Sequence, residues 1–410
     1  MSVKLNIPQN TQTYTKKMSR GMRAAASYIN LQEGEGNLSR VRLGQEMLTN
    51  WLPKAIFARG LVDLTEKTFL EVTENIIVYI LPVAVGTLFS KQITKSLPET
   101  IKKGVTTTAE NLLKEKSPKN KVLMPIKAAI AVGALAIPLA EYSLSYVKNL
   151  FTLKLFKQAD FNNIANLNKN KKEDVEKQKQ VKESAKSHIK LAGGIYAGCL
   201  GLVTLLATRG KNSKVLQNVS EAILAPGSKF FKNEKTAATI NKYFGLDFVS
   251  RNGKLAMSNG QVTACVVAGG FGYFGAAKDR GKQDFKEVLY RFPLVGFYAI
   301  TGSELLEKAF RSRLQKNGKC KEFFEAEKAN GGKLKLAQLG DVAEKLAAKN
   351  GTAVEAEFKT LLKQKSKLVM TPFLFSLGFM GFFVAGLSRY FTQYRYNKEM
   401  HEQKQQVKAT

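Results

Sequence analysis

The stretch LVMTPFLFSLGFMGFFVAGLS, residues 368–388, has no ionisable side chain, although the whole chain carries a formal charge of +31. A helix rises about 1.5 Å per residue, so a stretch of this length can cross the hydrocarbon core of a bilayer. The residues that follow it are Arg389, Tyr390, Phe391, Tyr394, Arg395 and Tyr396. Aromatic and basic side chains are typical of the membrane–water interface. The stretch therefore predicts a C-terminal transmembrane helix with an interfacial belt and Arg anchors.

Five more apolar runs lie upstream, at 75–90, 128–147, 191–208, 255–277 and 292–303. Two of these, 191–208 and 255–277, are also long enough to span a bilayer. The run at 128–147 reaches 20 residues only by including Glu141, and the other two are shorter. We expect the shorter runs to be short spans, re-entrant or interfacial segments, or buried core helices.

Strand signals are sparse, and the polar connections have helical character. The predicted fold is therefore all-α, a polytopic helical membrane protein with basic helical loop domains. The predicted segments are a basic N-terminal arm with an amphipathic helical region (1–74), a first apolar hairpin (75–147), a charged helical linker (148–190), a central transmembrane pair with the basic loop 209–254 (191–277), a basic helical segment with an interfacial or re-entrant helix at 292–303 (278–367), and a C-terminal transmembrane helix with a polar tail (368–410).

Two polar connections predict individual helices. The linker ends in EDVEKQKQVKESAKSHIK, a solvated helix that we expect to lead directly into the apolar run at 191–208. The motif GDVAEKLAAKNG, residues 340–351, predicts a helix that begins at Asp341 and ends before Gly351.

The N-terminal region has an apolar stripe with helical spacing, formed by Met18, Met22, Ala25 and Ile29. Such a stripe is typical of an organelle transit peptide or of an amphipathic arm on an anionic membrane. A disordered basic tail is the alternative.

The charge balance is the largest compositional signal, with 64 Lys and Arg against 33 Asp and Glu. A surface of this kind attracts polyanions, so the predicted partner is membrane lipid, in particular anionic lipid. Only 13 of the cations are Arg, and base recognition favours the bidentate guanidinium, so sequence-specific nucleic-acid binding is not predicted. A compositional bias toward Lys and Asn is the alternative explanation. The predicted location is a bacterial inner membrane or an organelle inner membrane.

The distribution of Lys and Arg tests the number of crossings. With all six runs spanning, the two sides carry 31 and 33 Lys and Arg, which gives no orientation. If 292–303 does not cross, the totals become 41 and 23. If only 191–208, 255–277 and 368–388 cross, they become 50 and 14. The sequence therefore favours at most five crossings, with 75–147 as a shallow hairpin.

Glycine motifs within the apolar runs predict close helix packing. The pair Gly194 and Gly198 forms G-x-x-x-G, and Gly381 has Ala385 at the same spacing. The motif GFGYFG around Gly272 matches G-x-G-x-x-G, but no clean strand with a terminal acid follows it, so packing is favoured over nucleotide binding. These faces also allow a homo-oligomer. No cofactor is predicted.

Two acidic residues are candidates for a polar intramembrane site. Glu141 lies inside an apolar run, three residues after Pro138 and one turn before Ser145, and a proline there can leave a carbonyl free to form a polar niche. The alternative is that Glu141 pairs with a neighbouring lysine such as Lys148 and reaches toward water. Glu304, just after the run at 292–303, raises the same question.

No catalytic pattern and no metal-ligand spacing is present, so an enzyme is not predicted. The favoured function is a structural or interaction protein of the membrane that docks Lys-rich loops on anionic lipid or another polyanion. One alternative is a transporter or channel for a small solute or ion that uses Glu141 and the helices interrupted around Pro82, Pro138 and Pro293. Another is a soluble all-helical protein that buries its apolar helices.

Overall fold

The computed structural model describes residues 18–34, 47–81, 123–168, 173–247, 249–251, 254–256, 258–332, 334 and 336–409. These residues are helical almost throughout, which confirms the all-α part of the predicted fold. The exception among them is a ribbon of two short strands, β1 (Val249–Arg251) and β2 (Lys254–Ala256).

The helices that the structure describes are, in chain order, α1 (Arg20–Gly34), α2 (Leu52–Ile56), α3 (Leu61–Asn75), α4 (Leu123–Gly133), α5 (Ala136–Phe156), α6 (Phe161–Ile164), α7 (Val175–Arg209), α8 (Lys214–Leu224), α9 (Pro226–Phe230), α10 (Glu234–Phe244), α11 (Asn259–Arg280), α12 (Lys282–Phe297), α13 (Ser303–Lys316), α14 (Lys321–Ala329), α15 (Leu336–Asn350), α16 (Val354–Ser376) and α17 (Val384–Ala409). Turns of π-helix precede α2, follow α3, and join α12 to α13 and α16 to α17.

Helices α7 and α11 both begin at polar caps. The Asp174 side chain accepts a hydrogen bond from the Glu176 amide and starts α7. A capping box of Ser258 and Gln261 starts α11. Gly281 separates α11 from α12 with a φ of 127°, a backbone conformation that favours glycine.

The chain divides into two compact units. The first contains α1 and the helices from α13 to α16, and its core is formed by side chains such as Ile29, Leu339, Phe358, Leu361 and Leu362, each with 0% exposure. Of the N-terminal apolar stripe, Met22, Ala25 and Ile29 lie in α1, whereas Met18 precedes this helix. Met18, Met22 and Ile29 pack on the core of their own unit, so this face is not available to a membrane surface as the amphipathic-arm hypothesis required.

The second unit contains the helices from α2 to α12 and α17. The central helix α5 packs against α11, α7 and α3. Helix α4 is buried along its whole length, and Val203 and Leu206 of α7 pack with it together with Leu224 of α8. This unit carries the candidate site.

Among the described residues, three helical stretches are long and apolar enough to cross a membrane: Leu123–Phe156, Val175–Asn212 and Val354–Val407. They include the predicted runs 128–147, 191–208 and 368–388. The most apolar window of the first is 72% buried inside the protein, whereas the corresponding windows of the other two are 17% and 22% buried. Most residues in the apolar windows of these two stretches are therefore not buried inside the protein.

Several expectations need correction. The run at 255–277 forms most of α11, but this helix is not among the three, because glycines, Asn259 and Gln261 dilute its apolar residues. The helix expected to begin at Asp341 begins earlier, at Leu336, although it does end before Gly351. The run at 292–303 lies within continuous helix from α12 into α13. Most of the run at 75–90 lies outside the described residues.

The Lys-rich helix leads directly into the apolar run at 191–208 as predicted, because α7 continues without a break from its Lys-rich half into its apolar half. The residues of the predicted belt after residue 388 differ in burial. Tyr390 and Tyr394 are exposed, whereas Arg389 is 7% exposed and binds Asp63. Arg389 is therefore an interior residue and not an anchor at the membrane surface.

Candidate functional site

One face of α3 carries charged residues into the interior of the second unit. The segment reads LVDLTEKTFLEVTEN, and helical spacing places Asp63, Glu66, Lys67, Leu70 and Glu71 on one side. All five side chains are buried. Buried charges are rare unless they are paired, so this face indicates a polar interface between helices and not an apolar core.

Glu66 is the centre of the first group of partners. The Arg280 guanidinium of α11 donates through Nη1 to Glu66 Oε1 at 2.8 Å, and Thr152 of α5 donates to Glu66 Oε2 at 2.7 Å. Lys148 Nζ lies 3.5 Å from the same carboxylate. Arg280 Nε is also 3.1 Å from Asp284 Oδ2 on α12. Four helices therefore meet at one buried ionic cluster.

A second group lies around Asp63, one turn earlier on α3. Arg389 of α17 approaches Asp63 at 3.2 Å and Glu287 of α12 at 3.7 Å. Arg59 donates its backbone amide to Asp63 at 2.9 Å and its side chain to the Arg389 carbonyl at 3.0 Å. Together with the cluster at Glu66, these residues form a polar seam, whose charged members are Arg59, Asp63, Glu66, Lys148, Arg280, Asp284, Glu287 and Arg389.

The two carboxylates that face Arg280 differ in their electrostatics. Burial opposes the ionisation of Glu66, but the charges of Arg280 and Lys148 outweigh it and hold the pKa below its usual value. At Asp284 burial outweighs the same two cations and raises the pKa. The seam therefore contains one carboxylate held firmly as an anion and one that takes up a proton more readily.

Glu141 lies on the same side of α5 as Lys148 but is not paired with it. Its side chain is 4% exposed, and Lys148 interacts with Glu66 instead. Oε1 of Glu141 has no hydrogen-bond partner in the described part of the chain, and neither has the buried Oγ of Ser145 one turn away. The alternative in which Glu141 pairs with Lys148 and reaches toward water is therefore wrong.

The surroundings of Glu141 are acidic. Glu71 and Glu74 of α3 lie near enough to act on it electrostatically. Glu74 accepts a hydrogen bond from the Tyr273 hydroxyl at 3.2 Å, and Glu71 pairs with Lys54. We call Glu71, Glu74, Glu141 and Tyr273 the acidic niche. Within the part of the chain that the structure describes, no three Asp, Glu, His or Cys side chains are arranged to hold a metal ion.

Glycine and proline shape the niche. A Cβ atom at Gly269 of α11 would lie 3.7 Å from Cβ of Glu141, so α11 approaches α5 closely at this level. Pro138 lies in the first turn of α5, where its missing N–H costs little. The carbonyl of Ala134 accepts from Ile137 at 3.0 Å, so Pro138 does not leave this group free as expected. Pro82 lies outside the described residues.

A small cleft of ≈ 20 Å³ lies next to the niche. Its lining residues are Thr49, Asn50, Lys54, Arg291, Val295, Met380, Gly381, Val384 and Ala385. Lys54 belongs both to the cleft and to the ion pair with Glu71, so it connects the cleft to the acidic niche. A cleft of this size admits about one water molecule and no larger solute.

Two of the four candidate glycines lie at close backbone contacts. A Cβ atom at Gly272 would lie 2.1 Å from the Tyr142 carbonyl of α5, and one at Gly381 would lie 2.6 Å from the Thr49 carbonyl. The G-x-G-x-x-G motif is thus inside a helix and against another helix, which is not the strand-to-helix turn of a nucleotide site.

The other candidates lie on open surfaces. A Cβ atom at Gly194 or Gly198 of α7 would meet nothing within 4 Å among the described residues. Glu304 is on α13 in the first unit, partly exposed, and pairs with Lys308 at 2.7 Å. Glu304 therefore belongs to a different unit from Glu141.

The seam was not predicted, whereas Glu141 of the acidic niche was a candidate from sequence. Its sequence signal is the buried face of α3, in which charged residues recur at helical spacing, but a charged stripe usually marks a solvated face. Arg280 and Arg389 lie just after apolar runs, and nothing in the neighbouring sequence indicates that their side chains are buried. Comparison of the chain with protein-family models, with curated proteins and with solved structures finds no match.

Proposed function

We propose that this chain is an integral membrane protein that transfers protons, with Glu141 as the group that binds them. The observation that carries the proposal is the buried carboxylate of Glu141, whose Oε1 has no hydrogen-bond partner among the described residues. An ionisable side chain within a helix of membrane-spanning length is expensive and by default indicates function.

The chemistry of the niche favours a proton as the species bound. A bare carboxylate in a dry interior is costly, and Glu71 and Glu74 add negative potential at Glu141. A cation or a proton relieves this cost. The adjacent cleft admits about one water molecule, which supports a proton carried along water and side chains over a larger solute.

The connected groups offer a route to Glu141. Lys54 lines the cleft and pairs with Glu71, and Glu71 is near enough to Glu141 to act on it electrostatically. On the other side Tyr273 donates to Glu74, which is partly exposed. We expect protons to enter from the cleft, to bind Glu141, and to leave past Glu74.

The exposed apolar half of α7 supports the membrane part of the proposal, because a soluble helix would bury that surface. Extraction of membranes with carbonate tests it directly. Retention of the protein in the pellet supports insertion. Recovery in the supernatant would favour the soluble alternative and remove the premise of transport.

The proton part is tested with purified protein in liposomes that contain a pH-sensitive dye and carry a pH gradient. We expect the wild type to dissipate the gradient and Glu141→Gln to lose most of this activity, because the amide cannot bind and release a proton. Glu141→Asp keeps the carboxylate and should retain part of the flux. Absence of flux in the wild type, or equal flux in Glu141→Gln, would contradict the proposal.

A further inference from the structure

The segment after α7 folds as a bracket at the ends of two candidate spans. We use the name bracket for α8, α9 and α10. It follows Val175–Asn212 along the chain, and it packs on α4, with which Leu123–Phe156 begins. The two ends touch, because a Cβ atom at Gly210 would lie 2.4 Å from Cβ of Pro125. If α7 crosses a bilayer, the bracket lies at the membrane–water boundary.

The bracket has a defined internal structure. Ser213 and Asn233 cap α8 and α10, and Pro226 occupies the first turn of α9. Asn241 of α10 accepts from the Gly227 amide at 2.7 Å and thereby holds α9 on α10. Caps and a hydrogen bond between α9 and α10 therefore order the backbone that carries the outward side chains.

The inner apolar residues of the bracket pack against the rest of the protein. Leu224 is 3% exposed, and Leu216, Ile223 and Leu246 pack with it against the core around α4. The outer ones are exposed instead. Phe230, Phe231, Phe244 and Val215 are 67%, 44%, 58% and 70% exposed.

Lysines accompany these outer residues. Residues 209–247 contain seven Lys and Arg against three Asp and Glu. Two of the acids are already paired within the protein, Glu221 with Lys229 at 2.9 Å and Asp247 with Lys127 at 2.6 Å. The exposed lysines of this segment without an ion pair in the described part of the chain are Lys211, Lys214, Lys232 and Lys235. Its outer surface therefore combines apolar rings with unneutralised positive charge.

We propose that the bracket docks on the headgroup region of anionic phospholipids through Phe230, Phe231 and Phe244, with Lys232 and Lys235 on the lipid phosphates. Aromatic rings favour the interface between hydrocarbon and water, and basic side chains near the surface of an anionic leaflet add attraction. The proposal shares with the proposed function only the premise that α7 lies in a membrane. It does not depend on proton transfer.

The apolar rings favour a lipid surface over a soluble polyanion such as RNA. In binding to RNA, the lysines alone would release counterions from the phosphates. The three exposed phenylalanines would add little to the affinity unless they stacked on bases. The position of the bracket at the ends of two candidate spans is the second argument. Lipid headgroups are present there whenever the protein is inserted, so no separate recruitment of a partner is required.

The test uses the full chain in vesicles, with Trp51→Phe as the background and Phe230→Trp as the reporter. Vesicles contain phosphatidylcholine alone or with phosphatidylglycerol, and the acyl chains are brominated near the headgroup so that they quench nearby tryptophan. We expect quenching at residue 230 to be stronger with phosphatidylglycerol and to weaken with salt. Lys232→Gln and Lys235→Gln should each weaken docking about 5-fold.

Val175→Trp in the same background is the matched control, since residue 175 is exposed at the far end of α7 and should not be quenched. Equal quenching at residue 230 in neutral and anionic vesicles, or none in either, would overturn the proposal. Relief of quenching by soluble polyphosphate at low concentration would also overturn it in favour of a soluble polyanion. Carbonate extraction of the same variants reports insertion separately, so failure of docking is distinguishable from failure of the membrane premise.

Discussion

Charged residues lie in the interior of the second unit, and apolar residues lie on the outer face of α7. This is the reverse of the usual arrangement in a water-soluble protein. In the interior, Glu66 and Arg280 are 6% and 1% exposed. On α7, Leu191, Ile195 and Leu205 are 53%, 48% and 45% exposed. In water, the first arrangement costs desolvation and the second exposes apolar surface.

The two regions suit different solvents. An apolar outer face is stable in hydrocarbon, and a buried polar network is then the interior counterpart, since ionisable groups in membrane proteins face the bundle interior and pair with one another. The seam also leaves polar atoms without hydrogen-bond partners among the described residues, including Nη2 of both Arg280 and Arg389. Such atoms suit a network that exchanges water or protons and not one optimised only for stability.

The largest effect is expected from removing the cation at the centre of the seam. Arg280→Met leaves Glu66 and Asp284 without their guanidinium partner, and loss of one member of a buried pair costs about 3–5 kcal/mol. We expect a large loss of thermal stability in detergent, measured by the temperature at which half the protein leaves the monodisperse peak on size exclusion.

Lys278→Met on the same helix is the control, because Lys278 is exposed. It should change the midpoint little. Adding Glu66→Gln to Arg280→Met should recover part of the loss, since the double variant no longer buries that unpaired anion. Equal effects of Arg280→Met and Lys278→Met would mean that the seam is hydrated and contributes little.

The next effect concerns the outer face of α7. Leu200 lies in the middle of the apolar run 191–208 and is 40% exposed. In water, Leu200→Lys would be nearly neutral, but a lysine at the centre of a membrane helix costs about 2.5–3.5 kcal/mol. We therefore expect Leu200→Lys to lower the carbonate-resistant fraction of the protein strongly.

Val175→Lys is the matched substitution in the Lys-rich half of the same helix, where the side chain is 79% exposed. It should leave the carbonate-resistant fraction unchanged. If the two variants behave alike, then the apolar half of α7 is not in lipid, and the comparison between the two regions loses its explanation.

The parts of the fold that could be predicted depend on contiguous sequence. The continuity of α7 and the apolar core of Val354–Val407 follow from long uninterrupted patterns, because helix formation and membrane length are both properties of a single segment. The start of α15 was misplaced, because Asp341 looks like a cap but lies inside the helix, where the first turn is already provided by Leu336 and its neighbours.

The polar seam could not be predicted in the same way. Arg280 and Glu66 are 214 positions apart, and Arg389 and Asp63 are 326 positions apart. No local pattern links such pairs. Glu141 was identified, because one acid in an apolar run is a local signal, but its supposed partner Lys148 was already engaged by Glu66 on another helix. A side chain can be located from its own segment, whereas its partner is decided by tertiary packing.

A smaller effect distinguishes packed glycine from open glycine. Gly272→Ala would place a Cβ atom 2.1 Å from the Tyr142 carbonyl, and overpacking typically costs about 1–3 kcal/mol. Gly194→Ala meets nothing within 4 Å in the described residues, so the higher helix propensity of alanine should leave stability equal or raise it by up to about 1 kcal/mol. Thermal midpoints in detergent compare the two variants. A loss for Gly194→Ala as large as that for Gly272→Ala would indicate that the face at Gly194 is packed, for example by a second copy of the chain.

The last prediction concerns an exposed acid, as opposed to the buried Glu141. Glu304, the other acid suggested by sequence, pairs with Lys308 one turn away, with side-chain exposures of 40% and 67%. Exposed pairs of this kind contribute about 0.3–0.5 kcal/mol, because water and salt screen them. Glu304→Gln should therefore shift the thermal midpoint barely, and it should leave proton flux in liposomes unchanged, whereas Glu141→Gln is expected to lose most of it. Flux that falls equally in both variants would show that the effect of Glu141→Gln is not specific to the buried niche, because the two acids differ in burial and in partners while the substitution is the same.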